Sequence, residues 1–266
     1  MKNLLAKGCL ASLALAWPAA VTAQEAEPQP TAPSLTVREI VEQTNRVAYY
    51  QGDDGRAKVV MTIADHGGAK RTREFIILRR DEPPTEGPKD DTFCRNQKIY
   101  VYFERPADVN KMVFLVWKHT DKDDDRWLYL PALDLVKRIA ASDKRTSFVG
   151  SDFFYEDVSG RSIEDDKHEL VETTDTYYVL KSTPKEAAGV AFAYYKMWIH
   201  RDTFIPVKIE YADDQDKVYR VYEALGVEQV QERWTVTKSR MTSQRTNSST
   251  TLTYSDVMYD VGLPDD

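Results

Sequence analysis

The stretch KVVMTIADHGGAKRTREFIILRR, Lys58 to Arg80, reads as two strands and the turn between them. Val59, Met61 and Ile63 recur at period two, which puts them on one face of an extended chain. Asp65, His66, Gly67 and Gly68 are turn residues, and the apolar pattern then resumes, so the two runs form an antiparallel hairpin.

The same pattern extends downstream. KIYVYFERP sets Ile99, Val101 and Phe103 on one face and Tyr100, Tyr102 and Glu104 on the other. The next run, KMVFLVWKH, is apolar on both parities, which predicts a strand covered on both faces. Its inward set is therefore either Phe114 and Val116 or Val113, Leu115 and Trp117. DRWLYLP, LVKRIAA, TYYVLKST, AYYKMWIHRD, FIPVKIEYAD, KVYRVYEALGVEQV, ERWTVTKSRMTS and STTLTYSDVMYD continue at hairpin spacing. About ten strands with scarcely any helix between them predict an antiparallel sheet and a mainly β fold. Upstream, LTVREIVEQTNRVAYY carries Thr36 and Glu39 at capping-box spacing. Val37, Ile40, Val41, Thr44, Val47 and Ala48 share one helical face. One amphipathic helix is expected over Val37 to Tyr49.

The chain has 266 residues and opens with MKNLLAKGCLASLALAWPAAVTAQ. Lys2 and Lys7, the apolar run and the small residues ending at Ala23 predict a secretory signal over 1–23, cleaved after Ala23. A Pro-rich spacer, 24–34, leads into a single domain over 35–266. Cys9 leaves with the signal, so Cys94 alone remains and no intramolecular disulfide forms. Removing Lys2 and Lys7 from the 36 Lys and Arg leaves 34 against 43 acidic side chains, a net of −9. Nucleic acid is a poor partner for that charge. No later run approaches the roughly 20 apolar residues a spanning helix needs, so membrane contact is peripheral at most.

Catalytic and metal signatures are weak. TDKDDDR places Asp121, Asp123 and Asp125 at calcium-loop positions, but Arg126 stands where glycine is needed and Ala132 where glutamate belongs. It reads as a solvated turn. His66, His119, His168 and His200 lie far apart and suit surface positions better than zinc, and neither a nucleophile elbow nor a phosphate cradle occurs. The segment TSFVGSDFFYEDVSG, Thr146 to Gly160, has no periodicity. Asp152 with Glu156 or Asp157, supported by Arg138 or Lys144, is its best catalytic constellation. No cofactor is implied.

WLYLPALDLVKRIAASDKRTSFVGSDFFYEDV (127–158), with WIHRDTFIPVKIEY (198–211) and YSDVMYDVGLPDD (254–266), resembles the outer-membrane lipoprotein-sorting protein-like family, the broader relatives of LolA and LolB. The resemblance implies one large curved antiparallel sheet, a half-open β-barrel whose concave face is lipid-lined and partly closed by helix and plug. It implies a periplasmic, non-catalytic carrier of lipids, lipoprotein acyl chains or similar ligands in a Gram-negative envelope, working beside an inner-membrane transporter. The loop from Asp81 to Gln97 is longer than such proteins usually carry. Thr146 to Gly160 then becomes a lid: Phe148, Phe153, Phe154 and Tyr155 cover the mouth, and Ser151 or Asp152 caps a short helical turn.

Strand parity, combined with that fold, assigns Val59, Met61, Ile63, Ile99, Val101, Phe103, Phe114, Val116, Tyr195, Met197, Ile199, Val207, Ile209 and Tyr211 to the concave face, beneath Ile40 and Val47 of the helix. The same parity fits a filled core. In that alternative the protein is an envelope interaction module, using the aromatic face of Tyr100, Tyr102, Tyr194 and Trp198 to bind a partner protein.

Overall fold

A computed structural model describes residues 35–83, 95–187 and 190–264. The expected signal, the spacer, Cys94 and most of the loop from Asp81 to Gln97 lie outside them. The amphipathic helix α1 spans Val37–Tyr49, as its periodicity predicts, and its capping box is made. The Thr36 hydroxyl accepts from Glu39 N at 3.2 Å, and Thr36 N donates to the Glu39 carboxylate at 2.7 Å. Ile40, Val41, Thr44 and Asn45 form its buried face.

Two strand series follow. The first is β1 (Asp54–Ala64), β2 (Lys70–Asp81), β3 (Gln97–Arg105), β4 (Val113–Lys118), β5 (Asp125–Leu130) and β6 (Leu135–Ile139). The second, after the short helix α2 (Tyr155–Ser159), is β7 (Asp166–Thr173), β8 (Tyr177–Pro184), β9 (Tyr194–His200), β10 (Pro206–Ala212), β11 (Val218–Val230), β12 (Arg233–Ser243) and β13 (Ser248–Tyr259). All thirteen join one antiparallel sheet, curved and open, in the order β6-β5-β4-β3-β2-β1-β13-β12-β11-β10-β9-β8-β7. Neighbouring strands are consecutive in the chain everywhere except at β1 and β13, which pair with Met61 opposite Leu252 and Val59 opposite Tyr254. The fold is the half-open barrel expected from the sequence.

The strand without a sequence counterpart is β7, DKHELVET. It is an edge strand with most side chains in solvent, so burial imposes no alternation on it. Its charges, including a Lys167–Glu169 pair at 2.8 Å, discourage pairing with another sheet. β4 departs from expectation as well. Phe114 and Val116 are buried inward, whereas Trp117 is 40% exposed on the convex side, so one face of the strand is covered rather than both. Its two-sided apolar pattern comes from a convex face that carries aromatic side chains, among them Tyr100 on β3.

Removing the cap tests the first link between sequence and fold. Thr36→Ala should lower the unfolding free energy by about 1 kcal/mol in urea titrations monitored by circular dichroism, with no change in m-value.

Candidate functional site

The order of the strands decides where the aromatic segment must go. β6 and β7 are opposite edges of the sheet, so the chain between them, 140–165, has to travel from one edge to the other. It does so across the concave face. A tight turn, with Val149 at φ 50° and Gly150 at φ 76°, closes between Phe148 N and Phe153 O at 2.7 Å. The turn drives Phe148 into the sheet, with its ring centroid 5.3 Å from Phe114, 6.0 Å from Phe103 and 6.4 Å from Phe75. Tyr155 completes the group, edge-on to Phe148 at 5.6 Å.

Polar contacts lock this segment down. Arg220 of β11 is 3% exposed; it donates to Asp152 O at 3.1 Å, pairs with Asp157, and lies 3.9 Å above the Phe154 ring. The Asp152 carboxylate accepts from the Ser248 hydroxyl and, at 2.7 Å, from Thr250. Glu156 takes Arg145 at 3.0 Å and Arg161 at 3.4 Å. Lys118, also buried, donates to Ser159 O at 2.7 Å while standing over the rings of Tyr49 and Tyr50. Gly160, at φ 74°, packs flat on Tyr49, where a Cβ would come within 2.6 Å of the ring.

The three acids weighed as a catalytic set are therefore each tied to sheet or lid. Arg138 pairs instead with Asp125, and Lys144 reaches Asp123 at 3.3 Å and Glu156 at 3.8 Å. The expected cap differs: Asp157, not Ser151 or Asp152, accepts from Phe154 N, at 2.6 Å, to start α2. Ser151 bonds Phe153 N and Asp152 bonds β13, because the lid is anchored to the sheet rather than only to itself. The histidines are less superficial than expected. His66 is exposed, but His168 bonds Ser182 at 2.8 Å and Ile163 O at 2.9 Å, and His119 faces Asp125 at 3.1 Å.

Part of the concave face is left empty. One cavity, about 320 Å³, lies between the lid, the end of α1 and the inner faces of β1–β3 and β10–β13. A second, about 110 Å³, lies between α1, the lid and β8–β10. Of the residues assigned by parity or as lid, Val47, Met61, Ile99, Val101, Phe148 and Phe153 line the larger cavity, and Phe154, Tyr195, Met197 and Ile199 the smaller. Ile209 and Tyr211 line both. Val59, Ile63, Phe103, Phe114, Val116 and Tyr155 stand in the filled part around Phe148. Ile40 packs with Val41, Ile163, Leu180 and Ile199 under the helix. Val207 lines neither cavity. A bulge between Pro206 and Lys208 breaks the alternation, and Pro206 takes the lining position instead.

Sequence parity was not carried through the last three strands, which supply Tyr222, Trp234, Val236, Ser239, Met241, Leu252 and Tyr254 to the larger cavity. The alternation of Thr250, Leu252 and Tyr254 is the signal that finds part of this set. Exposed Arg56, Trp234 and Met258 mark where the cavity meets solvent. Beside that mouth, the Arg79 guanidinium holds Tyr49 O at 2.9 Å, Gly52 O at 2.8 Å and Asp81 at 2.8 Å. Gln97 donates to Tyr49 O at 2.9 Å and to Asp81 at 2.7 Å, so the helix end is tied to β2 and β3. Burial pushes the Asp81 carboxyl up to about 6 against the opposing pull of Arg79 and Gln97.

Among the described residues no helix is long and apolar enough to cross a membrane, and no cluster of His, Cys, Asp and Glu is arranged to hold a metal. A family model described as that of an uncharacterized protein matches residues 95–266. A DUF1329 family protein from Desulfovibrio piger superposes with a TM-score of 0.75 at 30% identity, over 86% of this chain and 94% of that one. A domain from Vibrio parahaemolyticus named for outer-membrane lipoprotein sorting gives 0.73 at 26% identity, over 85% and 93%. A LolA superfamily protein from Nitrosomonas europaea, 18% identical over 87% and 96%, shares the fold at 0.65. No curated protein matches the chain.

The raised Asp81 acidity fixes a sign. The folded state binds this proton more tightly than the unfolded chain does, so the contribution of Asp81 is most favourable below about pH 4 and falls as pH rises through about 6. In chemical denaturation across that range, Asp81→Asn should remove a decline of up to about 3 kcal/mol relative to the unsubstituted protein. Parallel stability curves for the two proteins would refute the assignment.

Proposed function

The chain belongs to the DUF1329 family, and from that premise we propose that it is a non-catalytic periplasmic carrier of lipids or other acylated molecules. The observation that carries this reading is the cavity itself: about 320 Å³ of largely apolar space left inside a half-open sheet, beneath a lid that is fastened in place. That volume falls in the range of small-molecule sites. Met61, Ile77, Val101, Met241 and Leu252 line it without being able to fill it.

The energetics suit a chain-like ligand. Each buried methylene contributes about 0.8 kcal/mol, so eight of them give roughly 6 kcal/mol before ordering costs, enough for useful affinity without a charged anchor. The leader-like opening of the sequence supports export, and the likeness to a domain named for lipoprotein sorting supports a ligand that bears acyl chains. In this reading the protein receives its ligand from an inner-membrane transporter and meets membranes only at their surface.

A filled interaction module is the competing reading. Its support is the convex and edge surface, where Leu133 is 70% and Val136 62% exposed. The unfilled interior favours the carrier, because an evolved core reaches crystal-like density.

Native mass spectrometry of protein purified from a periplasm should show a bound acyl-bearing species. Leu252→Asp should strip it, while circular dichroism stays unchanged, because the site opens to water and can hydrate the new carboxylate. A wild-type protein that is empty and ignores apolar fluorescent probes, or a Leu252→Asp variant that still carries ligand, would sink the proposal.

A further inference from the structure

The two cavities share a polar boundary. Tyr49, from the end of α1, and Tyr211, from β10, line both of them, with Ile209 and Pro206 beside them. Tyr222 and Tyr254 line the larger cavity nearby. All four tyrosines are only half-buried although they sit inside the fold, because the surface left to them faces the empty space. Burial raises the pKa of each hydroxyl, that of Tyr254 to about 12, so all four are neutral donors.

They are not equivalent. Tyr222 and Tyr254 line the larger cavity alone, whereas Tyr49 and Tyr211 line both. The hydroxyls of Tyr49 and Tyr211 have no hydrogen-bond partner among the described residues. Both stand on the boundary that the two cavities share. Two donors are thus presented together at the waist of an apolar space, open to an acceptor on a ligand.

The charge around them says what kind of acceptor fits. Arg220 is engaged by Asp157 and Asp152 O, Arg161 by Asp166 and Glu156, and Arg145 by Glu156. Asp157 lines both cavities beside the two tyrosines and Glu156 lines the smaller, so a further anion would meet carboxylates and no uncommitted arginine there. The acceptor is therefore uncharged. We propose that the Tyr49 and Tyr211 hydroxyls hold the carbonyl oxygen of an acyl ester, with its long chain in the larger cavity and its alcohol portion in the smaller. This deepens, and rests on, the carrier reading: it names the ligand as an ester rather than a free fatty acid or a plain hydrocarbon.

The test displaces N-phenyl-1-naphthylamine from the mature protein with methyl laurate, with tetradecane of matching backbone length, and with sodium laurate. Methyl laurate should compete best. Tyr49→Phe/Tyr211→Phe should weaken methyl laurate about tenfold and leave tetradecane unchanged, while Tyr222→Phe, on the wall of the larger cavity and away from the shared boundary, should keep the ester preference. The single variants give intermediate losses if the double variant folds poorly. The inference is overturned if laurate binds as well as the ester, if ester and alkane weaken together, or if Tyr222→Phe costs as much. If no competitor and no probe binds the wild-type protein, it is the carrier reading that fails, and this one with it.

Discussion

One topological constraint organises the molecule: the pairing of β1 with β13 places the strands on either side of 140–165 at opposite edges of a single sheet. A connection of that length cannot go round the outside of a twisted thirteen-stranded sheet without exposing its apolar residues. It crosses the concave face, and the sheet curves around it. The lid is thus the chain's own way back to the other edge.

What holds the crossing in place is a buried cation. Arg220 would be expensive to bury alone, so its partners have to be present, and three of them belong to the lid: the Asp157 carboxylate, the Asp152 carbonyl and the Phe154 ring. Asp152 extends the tie to β13, and Lys118 with Gly160 secures the far end against Tyr49. The acidic and aromatic residues of this segment, which in isolation suggest catalysis as readily as closure, are consumed in fastening it.

The crossing also divides the concave face in two. Phe148 and Tyr155 complete an aromatic core with Phe75, Phe103 and Phe114, and there the interior is dense. Toward the end of α1 and the C-terminal strands no equivalent ring enters, and the cavity remains. The half that is filled supplies the rigidity, and the half that is empty supplies the space. Tyrosine is the natural residue at the boundary, since its ring belongs to an apolar wall while its hydroxyl serves a polar group.

Much of this was legible in the chain. Period-two alternation in Lys58 to Arg80 and Ile99 to Phe103 identified strands and their inward faces, because a strand buried on one side must alternate. The capping box and the stripe from Val37 to Ala48 located α1, because both signals are local. Three things were not legible: the edge strand β7, which no burial patterns; the bulge that hands the lining position from Val207 to Pro206; and whether the inward residues meet a partner. Val59 and Met61 have the same parity and both pack in the core, yet only Met61 also reaches a cavity wall. Parity gives only the face. What lies opposite that face, three to ten strands away or across the lid, is a long-range property of how the sheet curves, and only the tertiary structure decides it.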